Sequence, residues 1–166
     1  FFPGVDSIFL RAALTTRHLA ANPRSRAFAW PVSQGGWFDD WETPPVGGSY
    51  RLCSLHAFNS CGVRKQVAES ARAALGEQAD VILYPDFTGA IYDTPEGVRR
   101  RKLYRESLRG ALVALCPRSI PGNPAYRLYE AMAAGRVAMH FCDRAVLPFP
   151  DRIAWNRVTV QLPEAD

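Results

Sequence analysis

The sequence predicts an α/β fold, a Rossmann-like and mainly parallel sheet with flanking helices, and three observations carry that prediction. From Tyr50 onward, short apolar runs alternate with amphipathic stretches, the pattern of successive βα units. One run, Ala111 to Cys116, has almost no polar residue, as expected of a strand covered on both faces. The stretch from Leu115 to Phe149 reads as strand, polar loop, capped helix, strand and polar loop, with its charges placed where a ligand can meet them. Usual sheet sizes then imply about four to six strands.

Taken in order, Ser7 to Ala20 is a short apolar helix candidate, and the run SQGGWFDDWETPPVGG, with its paired glycines and prolines, reads as a linker. Tyr50 to Phe58 is the first strand of the regular pattern, followed by the small polar turn Asn59 to Gly62. A helix runs from about Val63 to Leu75, with Val63, Val67, Ala71 and Leu75 recurring every four residues. Val81 to Tyr84 is the second strand and Pro85 to Pro95 a polar loop. Glu96 to Gly110 is a very basic helix that offers Val98, Leu103 and Leu108 to a core. After the third strand, Ala111 to Cys116, comes the helix Asn123 to Ala134. There Asn123 suits the cap, Pro124 the first helical position and Gly135 the left-handed C-terminal position. Val137 to Phe141 is the fourth strand and Arg157 to Leu162 the fifth.

A chain of 166 residues, 48% hydrophobic and 22% charged, suits one core with a short appendage. No run approaches the roughly 18 apolar residues of a membrane span, and the start FFPGVDSIFL lacks the flank of a secretory signal. The net charge of +4 rests almost wholly on arginine, since only Lys65 and Lys102 are lysine, and guanidiniums favour forked contacts with phosphate and carboxylate. Cys53, Cys61, Cys116 and Cys142 form no CxxC pair, so they read as small buried thiols, with a bridge between Cys116 and Cys142 left open. No GxSxG, Walker A or GxGxxG pattern occurs, which removes the simplest hydrolase, phosphoryl-transfer and dinucleotide readings.

In open parallel sheets, ligands bind beyond the carboxyl ends of the strands, where loops and helix N-termini present N–H groups. Asn59 to Gly62, Pro117 to Gly122 and Cys142 to Phe149 fall on that edge. Arg118, directly after the third strand, suits a forked contact with a diphosphate, and reads equally as a solvated loop arginine. Arg127 and Glu130 share one helix face, either as a surface ion pair or as phosphate and ribose ligands, since a carboxylate accepts from both hydroxyls of a diol. Asp143 follows the fourth strand, facing a sugar or capping a turn. Arg64, in the first turn of its helix, steers anions toward the edge or is simply solvated. His18, His56 and His140 read as structural. The basic run Arg99, Arg100, Arg101, Lys102, Arg105 and Arg109 lacks an aromatic platform and reads as a solvated helix face, so no nucleic-acid partner is expected.

At Cys116, Pro117, Arg118, Arg127, Glu130, Ala131, Gly135, Asp143, Leu147, Pro148, Phe149, Ile153 and Trp155 the chain resembles the exostosin family of glycosyltransferases, family 47. Gly62, Val63 and Arg64 are similar to the opening of the first helix of that family's donor domain. Ser119 stands where the family usually has glycine, and Ala138 where many relatives carry proline. The resemblance implies the C-terminal half of a two-domain GT-B enzyme, with residues 49–166 as a nucleotide-sugar donor-binding domain. Residues 1–48 would be a remnant of the acceptor domain and the interdomain linker, represented loosely by Asp39, Asp40, Pro44 and Pro45.

On that likeness Arg118 and Arg127 hold the diphosphate of a UDP-sugar donor, Glu130 its ribose, and Arg64 assists. Asp143 lies near the sugar as the tentative catalytic group, and a glycan acceptor sits on the other domain. Neither a metal nor another cofactor is expected, because positive groups stabilise the departing diphosphate. The expected compartment is the Golgi lumen if the source is eukaryotic, with a parent that is membrane-anchored, and the cytoplasm if bacterial. A chain that starts without methionine and stops just past a strand is expected to be a piece, truncated before its last helices. The rival expectations are a non-catalytic nucleotide-sugar-binding module and, behind it, a basic nucleic-acid-binding α/β domain.

Overall fold

The computed structural model describes residues 8–11, 26–29, 50–85, 94–122 and 124–164. Ile8–Arg11 (β1) and Arg26–Ala29 (β2) pair in parallel as a sheet of their own, Ile8 opposite Arg26. The helix expected over Ser7 to Ala20 is therefore wrong at Ile8–Arg11. A short apolar run such as Ile-Phe-Leu does not distinguish helix from strand by periodicity, and a parallel partner decides it. The rest of that span, with His18, and the linker with Asp39, Asp40, Pro44 and Pro45 lie outside the described residues.

Arg51–Phe58 (β3), Ala79–Tyr84 (β4), Ala111–Pro117 (β5), Val137–Phe141 (β6) and Thr159–Leu162 (β7) form one all-parallel sheet in the order β4-β3-β5-β6-β7. The expected α/β Rossmann-like architecture is what the chain adopts. The chain steps from β3 outward to β4 through Gly62–Leu75 (α1), then crosses back past β3 to β5 through Pro95–Arg109 (α2). Tyr126–Ala133 (α3) and the single turn Trp155–Val158 (α4) carry it on to β6 and β7. The strand order thus reverses between β3 and β5, the place where open parallel sheets part their loops around a ligand.

Because side chains alternate along a strand, β5 feeds two different cores, one on each face of the sheet. Cys53, Leu55, Ala57 and Leu115 pack with Ala68 and Ala71 of α1 on one face. Ala114 and Cys116 pack on the other with Tyr104 and Leu108 of α2, Leu128, Ala131 and Ala134 at α3, and Ala138 of β6. The alanines let α3 lie close against β5 and β6, and Trp155 closes this core by donating from Nε1 to the Pro148 carbonyl at 2.8 Å.

Three expectations are corrected here. Asn123 lies outside the described residues, and the first helical residue of α3 is Tyr126, two residues later than the expected Pro124, with Ala125 at its cap (φ −59°, ψ 141°) and no side-chain cap hydrogen bond. Pro124 and Ala125 are instead buried in the loop, so packing overrides the capping signal. Gly135 does take the left-handed conformation, at φ 66°. In α2, Val98 is 51% exposed and the core face is set by Tyr104 and Leu108, while Thr94 caps by accepting from the Gly97 N–H at 3.1 Å. The last strand begins at Thr159 rather than Arg157, because Thr159 Oγ1 donates to the Trp155 carbonyl and closes a helical turn before it.

Candidate functional site

All five strands of the main sheet run in parallel, so the turn after β3 and the loops after β5 and β6 meet along one edge. Arg64 ties the first two together. Its Nε donates to the Arg118 carbonyl at 3.1 Å and its Nη1 to the Phe58 carbonyl at 2.9 Å, with the guanidinium 4.6 Å over the Phe58 ring. Arg64 is 3% exposed, and burial, with Arg127 nearby, pulls its pKa down to about 10. It therefore stays charged at neutral pH, neither solvated nor reaching outward. Cys61 adds a second link by donating from Sγ to the same Arg118 carbonyl at 3.3 Å. Burial raises the Cys142 thiol pKa, and the N–H groups of Arg144, Gly122 and Ala145 that face its sulfur offset part of that rise. All four cysteines are free, so the bridge left open between Cys116 and Cys142 is not made, and burial pushes the Cys116 thiol up to about 12.

Arg127 and Glu130 share a face of α3 as their spacing requires, yet they do not form the surface ion pair. Glu130 is 6% exposed, and its Oε2 accepts from the Tyr104 hydroxyl at 2.9 Å. Burial lifts the Glu130 carboxyl above its ordinary range, while Arg127 and the Tyr104 hydrogen bond hold that rise back. Tyr104, fully enclosed, has its pKa raised well above the ordinary value by burial and by Glu130, so it remains a donor. The Arg127 guanidinium lies 5.5 Å over the Tyr104 ring, and its buried Nε has no partner.

Beneath Tyr104 runs a polar network. His56 Nε2 lies 3.3 Å from Asp80 Oδ1, Arg51 Nη1 2.9 Å from Asp80 Oδ2, and the hydroxyls of Ser54 and Ser107 are 2.7 Å apart. Burial pulls the His56 pKa down, partly countered by Asp80, so its ring is neutral at pH 7. Sequence reasoning missed this network. Its one legible signal was Tyr104 standing four residues before Leu108 in an otherwise basic helix.

Arg118 stands just past β5, its N–H donating to the Phe141 carbonyl at 3.1 Å. Its Nε donates to Glu164 Oε1 at 2.6 Å, so it is not a solvated loop arginine. Glu164 Oε1 also accepts from the Asp143 N–H at 3.2 Å, and Asp143 Oδ1 accepts from the Glu164 N–H at 3.0 Å. Asp143 itself is exposed. Arg64, Arg118 and Asp143 are thus joined through hydrogen bonds, the last two by way of Glu164, whereas Arg127 and Glu130 both lie against Tyr104.

Among the described residues no cluster of His, Cys, Asp and Glu stands ready to hold a metal ion, and no helix is long and apolar enough to cross a membrane.

No family model matches the chain. Over 64 residues, 38% of its length, the chain is 38% identical to a probable glucuronosyltransferase and to the probable glucuronosyltransferase GUT1, both of Oryza sativa subsp. japonica. It is equally identical over 64 residues to the probable beta-1,4-xylosyltransferase IRX10 of Arabidopsis thaliana. The match takes in 15% of the length of each of these relatives. Over that segment the chain is similar to plant glycosyltransferases, on an all-parallel α/β sheet with a charged carboxyl edge.

Proposed function

We propose that this chain is the donor-binding half of an exostosin-like glycosyltransferase, which transfers a sugar from a UDP-sugar to a glycan acceptor. The observation that carries the reading is that Arg118 follows β5 at the carboxyl edge where the strand order reverses, with α3, which bears Arg127 and Glu130, starting from the same loop. The partial similarity to glucuronosyl- and xylosyltransferases supports it.

The start of α3 carries no side-chain cap, so its first N–H groups and its dipole are directed at this edge. A diphosphate seated there meets the Arg118 fork and the Arg127 guanidinium. Glu130, with Oε2 held by Tyr104, offers Oε1 to a ribose hydroxyl. As the glycosidic bond breaks, negative charge grows on the leaving diphosphate, and fixed guanidiniums and N–H dipoles stabilise it without rearranging. Arg64 fixes the loops on which this depends. Asp143, exposed beside Arg118, lies toward the sugar, and the group that deprotonates the acceptor comes from the partner domain.

Titration calorimetry of the intact protein with UDP tests the reading. Glu130→Ala and Arg118→Ala should each weaken binding at least about tenfold, the scale of one charged hydrogen bond. Absence of UDP binding, or undiminished binding by both variants, sinks it.

A further inference from the structure

Glu164, the residue that meets Arg118, lies 46 positions further along the chain, just beyond β7, and three contacts fix its place. Its Oε1 accepts from both Arg118 Nε and the Asp143 N–H, while its own N–H returns a hydrogen bond to Asp143 Oδ1. Glu164 and Asp143 therefore clasp each other, and the clasp holds Arg118 by one nitrogen. Glu164 and Arg118 are 16% and 18% exposed at the side chain, so the pair is partly sheltered from water. The other side of Arg118 is fixed as well, by Arg64 and Cys61 on its carbonyl and by its own N–H on Phe141.

We infer that Glu164 is a positioning residue, which holds Arg118 by Nε so that the two Nη groups of its fork point to the diphosphate. The inference rests on the donor-site reading above. A guanidinium binds phosphate through two N–H groups in a plane, and free rotation about its long side chain works against that geometry. Anchoring Nε to a carboxylate that is itself tied to β6 and β7 removes much of the freedom before the ligand arrives, which is how preorganisation strengthens binding. The Arg118 hydrogen bond holds the Glu164 carboxyl below its ordinary range, so the anchor is ionised at neutral pH.

The test compares UDP, UMP and uridine by calorimetry on the intact protein and its Glu164→Ala, Glu164→Gln, Arg118→Ala and Arg118→Ala/Glu164→Ala variants. Glu164→Ala should lose about tenfold or more in UDP affinity, less for UMP, and nothing for uridine. Glu164→Gln, whose amide oxygen still accepts from Nε, should recover most of the loss. In the Arg118→Ala background, removal of Glu164 should have no further effect. Unchanged or tighter UDP binding by Glu164→Ala overturns the inference, because Glu164 then idles or plugs the fork. An equal loss for uridine overturns it too, since the residue is then only part of the frame. Undiminished UDP binding by Arg118→Ala removes Arg118 from the donor site and the inference with it, and absence of UDP binding by the intact protein removes the donor-site reading beneath, outcomes distinct from a failure of Glu164 alone.

Discussion

The two faces of the main sheet bury different chemistry, although the same strands supply both. On the α1 side, Cys53, Leu55, Ala57, Ala68, Ala71 and Leu115 form an apolar core, beside a groove of about 440 Å³ lined by residues such as Val67, Leu112 and Phe141. On the α2 and α3 side, Ser54, His56, Ser107 and Glu130 are buried among Tyr104, Leu108 and Leu128. Burying polar groups costs stability unless every one is satisfied, and His56 Nδ1 and Arg127 Nε are not. An apolar face that needs no such groups lies one residue away along β3. The contrast teaches that the α1 face serves cohesion, while the opposite face gives up some cohesion to bury Ser54, His56, Ser107 and Glu130.

The largest expected effects test that division directly. Leu55→Ala and Leu128→Ala remove side chains that are 1% and 0% exposed, and each should cost about 2–5 kcal/mol in urea unfolding. Only Leu128→Ala, on the helix that bears Arg127 and Glu130, should also weaken UDP binding. Equal UDP affinity in the two variants breaks the comparison.

Next comes a pH effect. Burial depresses His140 to a pKa of about 4, so the unfolded chain takes up its proton first, near pH 6.5. The stability this site confers is complete above pH 6.5 and is lost as pH falls towards 4, by up to about 3 kcal/mol at roughly 1.4 per pH unit. His56, also depressed by burial, acts in the same direction, whereas Glu130, raised by burial, acts in the opposite one. Urea midpoints measured from pH 7.5 to 4 should fall less steeply in His140→Gln than in the parent. An unchanged slope removes His140 from the account.

The smallest effect sharpens the polar face. The Ser107 hydroxyl meets the buried Ser54 hydroxyl and also lowers the Asp80 pKa, so Ser107→Ala strands Ser54 and should cost about 1–3 kcal/mol. Ser54→Ala leaves Ser107 its Asp80 partner and should cost under about 1 kcal/mol. Equal losses in thermal unfolding would mean that the hydroxyls act alone and form no network.

How much was legible follows from how local each signal is. Val137–Phe141 is apolar between two polar breaks and was readable to the residue, and α1 begins within one residue of its expected start. The cap at Asn123 and Pro124 misled because burial of Ala125 is a tertiary fact. Arg118 was locatable because it follows an apolar strand of a parallel sheet, whose end must lie on the carboxyl edge. Its partner was not, since nothing near Glu164 announces a contact 46 residues back. Arg64 was placed on the correct helix turn, but the carbonyls that hold it become neighbours only when β3 and β5 pair.

That buried arginine has a thermodynamic consequence. With the carbonyls of Phe58 and Arg118 around it, Arg64 keeps its positive charge at neutral pH inside the edge, and Arg127 adds a second charge close enough to perturb it. The fold carries that mutual repulsion as a standing cost. On the donor-site reading proposed above, a diphosphate at this edge would offset that repulsion, so binding and folding would share one free energy and melting should come later as UDP concentration rises.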